Sequence, residues 1–137
     1  MKVYIKNIEL IDKKLYPLDL FVNGNKPNIK SHVDPKKFYT IMIVDEDAPS
    51  KTNPINKYVI HLLVINNKTT LFDYSPPNPP VNSGQHRYHI LVYEQSNLLD
   101  KSKIKINSKV KFDLDKFVQT NKLKLFDKFM FKTEKQN

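Results

Sequence analysis

The chain has 137 residues, 39% of them hydrophobic, with no cysteine and a formal net charge of +9. That length suits a single domain spanning 1–137 with a real apolar core. The absence of cysteine excludes a disulfide framework and thiolate chemistry. No apolar run approaches the ~18 residues of a membrane span. The opening residues MKVYIKNIEL carry Lys2, Lys6 and Glu9 where a signal peptide would be apolar, so the expected location is cytoplasmic. The charge is skewed: residues 1–100 hold 12 basic and 10 acidic side chains, a net of +2, whereas residues 101–137 hold 11 and 4, a net of +7. Such a skew suits an acidic partner or peripheral contact with an anionic membrane. Arg87 is the only arginine, however. Base readout leans on arginine's bidentate fork, so specific nucleic-acid binding is not expected, and much of the lysine reads as solvated surface.

In chain order, β-branched and aromatic runs bounded by Pro, Asn, Asp or Gly predict strands near Val3–Leu10, Asp19–Val22, Phe38–Val44, Tyr58–Asn66, Thr69–Asp73, His86–Glu94 and Val110–Phe112. Asn23-Gly24 marks a turn, and Pro35 and Pro54 punctuate loops. Residues 74–85 carry Pro76, Pro77, Pro79 and Pro80, which cannot donate to a sheet ladder, so this stretch is an ordered loop. A helix is predicted over Leu114–Leu123, with Asp113 as its cap and Leu114, Phe117 and Val118 on one face. Many strands and one late helix give a mainly β domain: two packed antiparallel sheets, a β-sandwich, with one short C-terminal helix.

Side chains alternate faces along a strand, which places the polar ones. Asp45 falls at the end of its strand. His61 shares a face with Leu63 and Ile65 in a strand that is apolar on both sides. His86 and Tyr88 point the same way directly after the proline loop, with Arg87 and His89 opposite. Each of these residues also has a plain structural role open to it. His61 can be a satisfied core histidine, Asp47 a turn former, Gly84 the supplier of a positive φ, and Arg87 the partner of a nearby carboxylate.

Two blocks carry more: DEDAPS at Asp45 to Ser50 and GQHRY at Gly84 to Tyr88, with the double proline ahead of the second. Their order and spacing resemble the signature of the phosphatidylethanolamine-binding protein (Raf kinase inhibitor protein-like) family. The match runs from Phe38 to Gln95 and continues more weakly through Lys111–Leu123. The resemblance implies a small ligand-binding cavity. The aspartates of the family's D-P-D-A-P-S fall at Asp45 and Asp47, and the second histidine of its W-H-H-F strand at His61. The histidine and tyrosine of its G-x-H-R-Y fall at His86 and Tyr88, and Pro79 and Pro80 would wall the cavity. Pro49, Ser50, Ser83, Gly84 and Arg87 are implied as supporting residues, with a cis peptide at Ala48-Pro49.

The sequence departs from the family pattern at Glu46, which replaces the motif's proline, and at Val59 and Ile60, which replace its tryptophan and first histidine. No tyrosine follows Tyr93, so the family's C-terminal closing tyrosine has no counterpart. A short, terminally truncated member with a more open cavity is expected. The implied function is a non-catalytic binding protein that recognises an anionic or zwitterionic phosphoryl group, either a phosphoethanolamine head group or a phosphorylated partner. Imidazole N–H and tyrosine O–H would donate to phosphate oxygens, and the aspartates would meet a ligand ammonium. It would modulate signalling, with a kinase or other signalling protein as partner, and needs no cofactor or metal.

Two other readings of the same residues remain. The Asp/His cluster could hold a divalent metal and activate water as a hydrolase, although no H-x-x-x-H or H-x-H spacing is present. Alternatively, Phe112, Phe117, Phe126, Phe129 and Phe131, set among lysines, could stack on nucleic-acid bases or fill a core.

Overall fold

The computed structural model of the protein describes residues 1–137. Eight strands form: β1 Lys2–Ile5, β2 Ile8–Glu9, β3 Asn28–Lys30, β4 Phe38–Asp45, β5 Val59–Ile65, β6 Thr69–Phe72, β7 His86–Gln95 and β8 Lys124–Thr133. One α-helix, α1, spans Leu114–Thr120. The strands build a three-stranded sheet ordered β2-β1-β3 and a five-stranded sheet ordered β6-β5-β4-β7-β8, antiparallel throughout. The domain is mainly β, with two sheets and one helix, as its run of strand signals requires.

The five-stranded sheet is covered on both faces, which is why its central strands are apolar on both sides. On one face Ile43, Leu62, Tyr88, Ile90, Phe129 and Phe131 pack against Val3 and Ile5 of the small sheet and against Leu10 and Phe21. On the other, Met42, Val44, Leu63, Ile65, Leu91 and Tyr93 pack against Phe112, Leu114, Phe117 and Leu123. Helix α1 starts where expected, because the Asp113 carboxylate accepts the Lys116 N–H at 3.1 Å and satisfies one of the open donors of the first turn. It ends at Thr120 rather than Leu123.

Four segments differ from the sequence expectation. Val3–Leu10 is a tight hairpin rather than one strand, reversing at Lys6, which has φ 53°. Asp19–Val22 is no strand. Pro17, with φ −64°, opens a 3-10 turn over Leu18–Phe21 that drives Phe21 into the core. Val110–Phe112 exchanges backbone hydrogen bonds with Tyr58, yet Lys111 takes φ 58° and breaks the extended run. The fourth is β8, a ten-residue strand in the basic last third, paired along the whole of β7. It turns Phe129 and Phe131 inward, and Phe112 and Phe117 are buried as well, so only Phe126 of the five phenylalanines is exposed.

The pairing of β4 with β5 contains a bulge. Ile43 faces Leu62 and Val44 faces Ile60, leaving His61 as the extra residue. A bulge resets the alternation of side chains. Ile60 therefore joins Leu63 and Ile65 on the α1 side. His61 instead stands edge-on to Tyr88 at 5.3 Å between ring centroids, on the side of Leu62. The strict period of two had put His61 with Leu63 and Ile65, and the bulge overturns that.

Candidate functional site

The ends of β4, β5 and β7 converge on a cavity of about 650 Å³ beside the proline loop. Asp45, His61, His86 and Tyr88 line it together with Pro49, Pro79 and Pro80. Regular pairing brings three of these together: Asp45 and Tyr88 are register partners across β4 and β7, and His86 lies two residues before Tyr88 on the same face, while His61 arrives through the bulge in β5.

Tyr88 is held by stacking. Its ring lies parallel to Phe131 at 5.3 Å, and Phe131 stacks on Phe21 at 4.4 Å. His86 stacks more loosely on Tyr88 at 6.3 Å. This fixes the ring but leaves the hydroxyl unserved. Tyr88 is fully buried, and its Oη has no hydrogen-bond partner in the protein. Burial first, then the Asp45 charge and a hydrogen-bonding pull from the Asp45 carboxylate, raise its pKa, so the group remains a neutral O–H donor with Asp45 outside full hydrogen-bond geometry. The Thr133 hydroxyl, opposite His86 across β7 and β8, is likewise buried and unpaired.

The two histidines are differently employed. His86 is fully buried with both ring nitrogens engaged: Nδ1 lies 2.9 Å from Asp45 Oδ2, and Nε2 lies 2.8 Å from Ser83 Oγ. The Ser83 hydroxyl in turn donates to the Pro80 carbonyl at 2.7 Å, tying the imidazole to the proline loop. His61 Nδ1 donates to the Ser75 carbonyl at 2.8 Å, which leaves Nε2 without a partner in the protein. Burial lowers the His61 pKa despite that hydrogen bond, which favours a neutral ring whose Nε2 is an acceptor.

The acidic motif divides by residue. Asp45 faces the cavity. Glu46 lies on the opposite side, where its Oε1 takes Arg87 Nη1 at 3.1 Å and His89 Nε2 at 2.8 Å. Asp47 is fully buried but does not line the cavity. It accepts three hydrogen bonds from Arg87: from the backbone N–H at 2.8 Å, Nε at 2.9 Å and Nη2 at 2.8 Å. Burial alone would push this carboxyl up, but the Arg87 hydrogen bonds and charge outweigh it and hold the pKa below the usual carboxylate range. Asp47 and Arg87 thus form a clamp between the DEDAPS loop and β7. Neither lines the cavity.

The remaining expected residues shape loops. The Ala48-Pro49 peptide is cis. Ser50 Oγ accepts the Asn53 N–H at 3.2 Å and holds its own turn. Gly84 has φ 87°, and a Cβ there would meet nothing within 4 Å, so the backbone conformation rather than space calls for glycine. Among the cavity-lining residues missed from sequence, Lys135 matters most. It lies just after β8, its Nζ donates to Asn78 Oδ1 of the proline loop, and its backbone carbonyl accepts the Asn82 N–H at 2.8 Å. No three His, Asp or Glu side chains are grouped so as to hold a metal ion. No helix is long and apolar enough to cross a membrane.

Fold and site together define a β-sandwich with one polar-floored cavity at the end of its larger sheet. Comparison with known proteins narrows the class. The family model described as phosphatidylethanolamine-binding protein matches residues 65–128. The phosphatidylethanolamine-binding protein homolog R644 of Acanthamoeba polyphaga mimivirus is 41% identical over 105 residues, covering 72% of this chain and 73% of that protein. A Drosophila melanogaster relative, provisionally named odorant-binding protein A5, is 33% identical over 129 residues, and the chain spans only 60% of its length. Among solved structures, that of carboxypeptidase Y inhibitor complexed with its cognate proteinase contains a chain with TM-score 0.79 and 25% identity, over 98% of this chain and 82% of that one. The phosphatidylethanolamine-binding protein from Plasmodium vivax shares the fold at TM-score 0.72 and 17% identity, over 97% and 84%. The protein belongs to the phosphatidylethanolamine-binding protein family, and that membership makes it a binding protein in the general sense.

Proposed function

We propose that the protein binds an anionic phosphoryl group in the Tyr88 cavity without transforming it, and that occupancy of this cavity modulates a signalling partner in the cytoplasm. The observation that carries the reading is Tyr88, a cavity-lining residue whose hydroxyl is fully buried and unpartnered. Leaving such a group unpaired costs about 1–3 kcal/mol, which a ligand oxygen accepting its hydrogen would return. His61 Nε2 adds an acceptor for a P–OH hydrogen, and Lys135 adds a cation. Asp45, Glu46 and Asp47 are each engaged by protein donors, so no carboxylate among them stands free as a general base. The structural likeness to an inhibitor complexed with its proteinase adds weight to a protein partner. The net +7 of residues 101–137 would add a salt-sensitive attraction to anionic membranes.

Inorganic phosphate titrated into isotopically labelled protein tests this. Amide shifts should concentrate at Tyr88, His61 and the proline loop, with a high-micromolar to millimolar Kd, about −4 to −6 kcal/mol. No saturable shift at these residues up to about 20 mM, where even millimolar sites fill, would sink the reading.

A further inference from the structure

A zwitterion such as phosphoethanolamine asks two things of a site: donors for its phosphate and a counter-charge for its ammonium. Three consecutive acids, Asp45, Glu46 and Asp47, look able to supply the second. Each already accepts from donors of the protein. Asp45 is the only one that lines the cavity. Its Oδ1 accepts the Asp47 N–H at 2.8 Å and its Oδ2 faces His86 Nδ1 at 2.9 Å. Glu46 is held by Arg87 and His89, and Asp47 by Arg87 alone.

The charge that is free is of the opposite sign. Lys135 lines the cavity and forms no salt bridge. Its ammonium has three donors, of which one goes to Asn78, leaving two to offer a ligand. It is not a freely swinging surface lysine. Its backbone runs as a bridge beside Val81, and its carbonyl accepts the Asn82 N–H, so the segment after β8 is laced to the proline loop beside the cavity. The cavity is also lined by Leu18, Val22, Val59 and Val110, able to take an uncharged ester substituent.

We infer that the cavity selects a phosphate monoester carrying no cationic group over zwitterionic phosphoethanolamine, with Lys135 as the specificity-determining residue. This rests on the cavity being a phosphoryl site. The phosphate oxygens would be met by Tyr88 Oη and Lys135 Nζ, whereas an ammonium on the ester arm would face Lys135 with only Asp45, already paired with His86, to offset it.

Ethyl phosphate and phosphoethanolamine share a skeleton and differ only by that ammonium. Titration calorimetry of the full chain with each, and with inorganic phosphate, at about pH 7.5 where the phosphoryl groups are mostly doubly ionised, separates the cases. Ethyl phosphate should bind about tenfold tighter than phosphoethanolamine, or about 1.4 kcal/mol, and at least as tightly as inorganic phosphate. Lys135→Gln should shrink the preference, and Lys135→Glu, with unchanged circular dichroism and melting temperature, should reverse it. Phosphoethanolamine binding the native protein as tightly as ethyl phosphate, inorganic phosphate outcompeting both esters, or Lys135→Glu keeping the preference would each overturn the inference while leaving a phosphoryl site standing. If none of the three ligands binds, the phosphoryl reading itself falls.

Discussion

Replacing Asp47 by alanine removes the clamp that holds the DEDAPS loop against β7. The side chain is fully buried and accepts three hydrogen bonds, all from Arg87. Breaking a buried ion pair from one side costs about 3–5 kcal/mol. Here the partner is 32% exposed and keeps Glu46 at 3.1 Å, so the guanidinium can turn toward water and the lower end, about 3 kcal/mol, is expected. An unfolding entropy of about 2.1 cal/mol/K per residue, taken over the 137 residues of the chain, converts that to a drop in Tm of about 10 °C. Thermal unfolding followed by circular dichroism at neutral pH measures it. The pH dependence supplies a second check. The folded carboxyl is held below its unfolded value of 3.8, so the stabilisation is fully present above pH 3.8 and is lost as pH falls through the folded pKa. The gap between native and variant proteins should therefore start to close only below that pH. A Tm loss under about 3 °C, or a gap already closing at pH 5, would refute the clamp.

Other expectations follow from the same geometry. Burial lowers the His61 pKa below 6.5, so its contribution to stability is fully present above 6.5 and is lost as pH falls from there through the folded value. His61→Gln should remove that slope, at most about 1.4 kcal/mol per pH unit, in urea titrations from about pH 7.5 to 5. Ser83→Ala leaves buried His86 Nε2 without its partner at 2.8 Å and should cost about 1–3 kcal/mol by urea denaturation, an unchanged midpoint arguing against the link to the proline loop. Phe131→Ala opens a gap between Phe21 and Tyr88 and should cost about 3–5 kcal/mol, with a loss below 1 kcal/mol showing that the aromatic stack does not hold the cavity wall.

Most of the cavity is legible in the sequence because β4 and β7 pair without irregularity over Asp45 and Tyr88. Alternation alone puts His86 and Tyr88 on one face, and the Asp45 position follows from the strand's length. Where the chain breaks its own period, legibility fails. The bulge at His61 moves that residue to the other side of its strand, and nothing in VIHLLVI marks it. Asp47 sits in a motif that reads as ligand-binding, yet the lone arginine one strand away takes both its oxygens. Lys135 is out of reach of sequence patterns because the strand before it is disguised. Lys128, Phe129, Met130, Phe131 and Lys132 alternate, but Asp127 interrupts the inward row and a register shift opposite Val92 and Tyr93 leaves Phe126 as the extra residue. Asp127 has its own partner in Ser31, whose hydroxyl it accepts at 2.6 Å. The short 3-10 turn that carries Phe21 is a tertiary outcome, since the local β-branched and aromatic content argued for a strand.

Tyr88→Phe tests the central claim most directly, because stability and binding should move independently in one variant. The hydroxyl has no partner in the protein, so its removal should leave the Tm of the unliganded protein unchanged or raise stability by up to about 1 kcal/mol. Phosphate affinity should fall about tenfold or more, the loss of one hydrogen bond to a charged acceptor of about 1.5–3 kcal/mol. Full phosphate affinity in the variant, or a clear loss of stability without ligand, would show that the Tyr88 hydroxyl serves the fold and not a ligand.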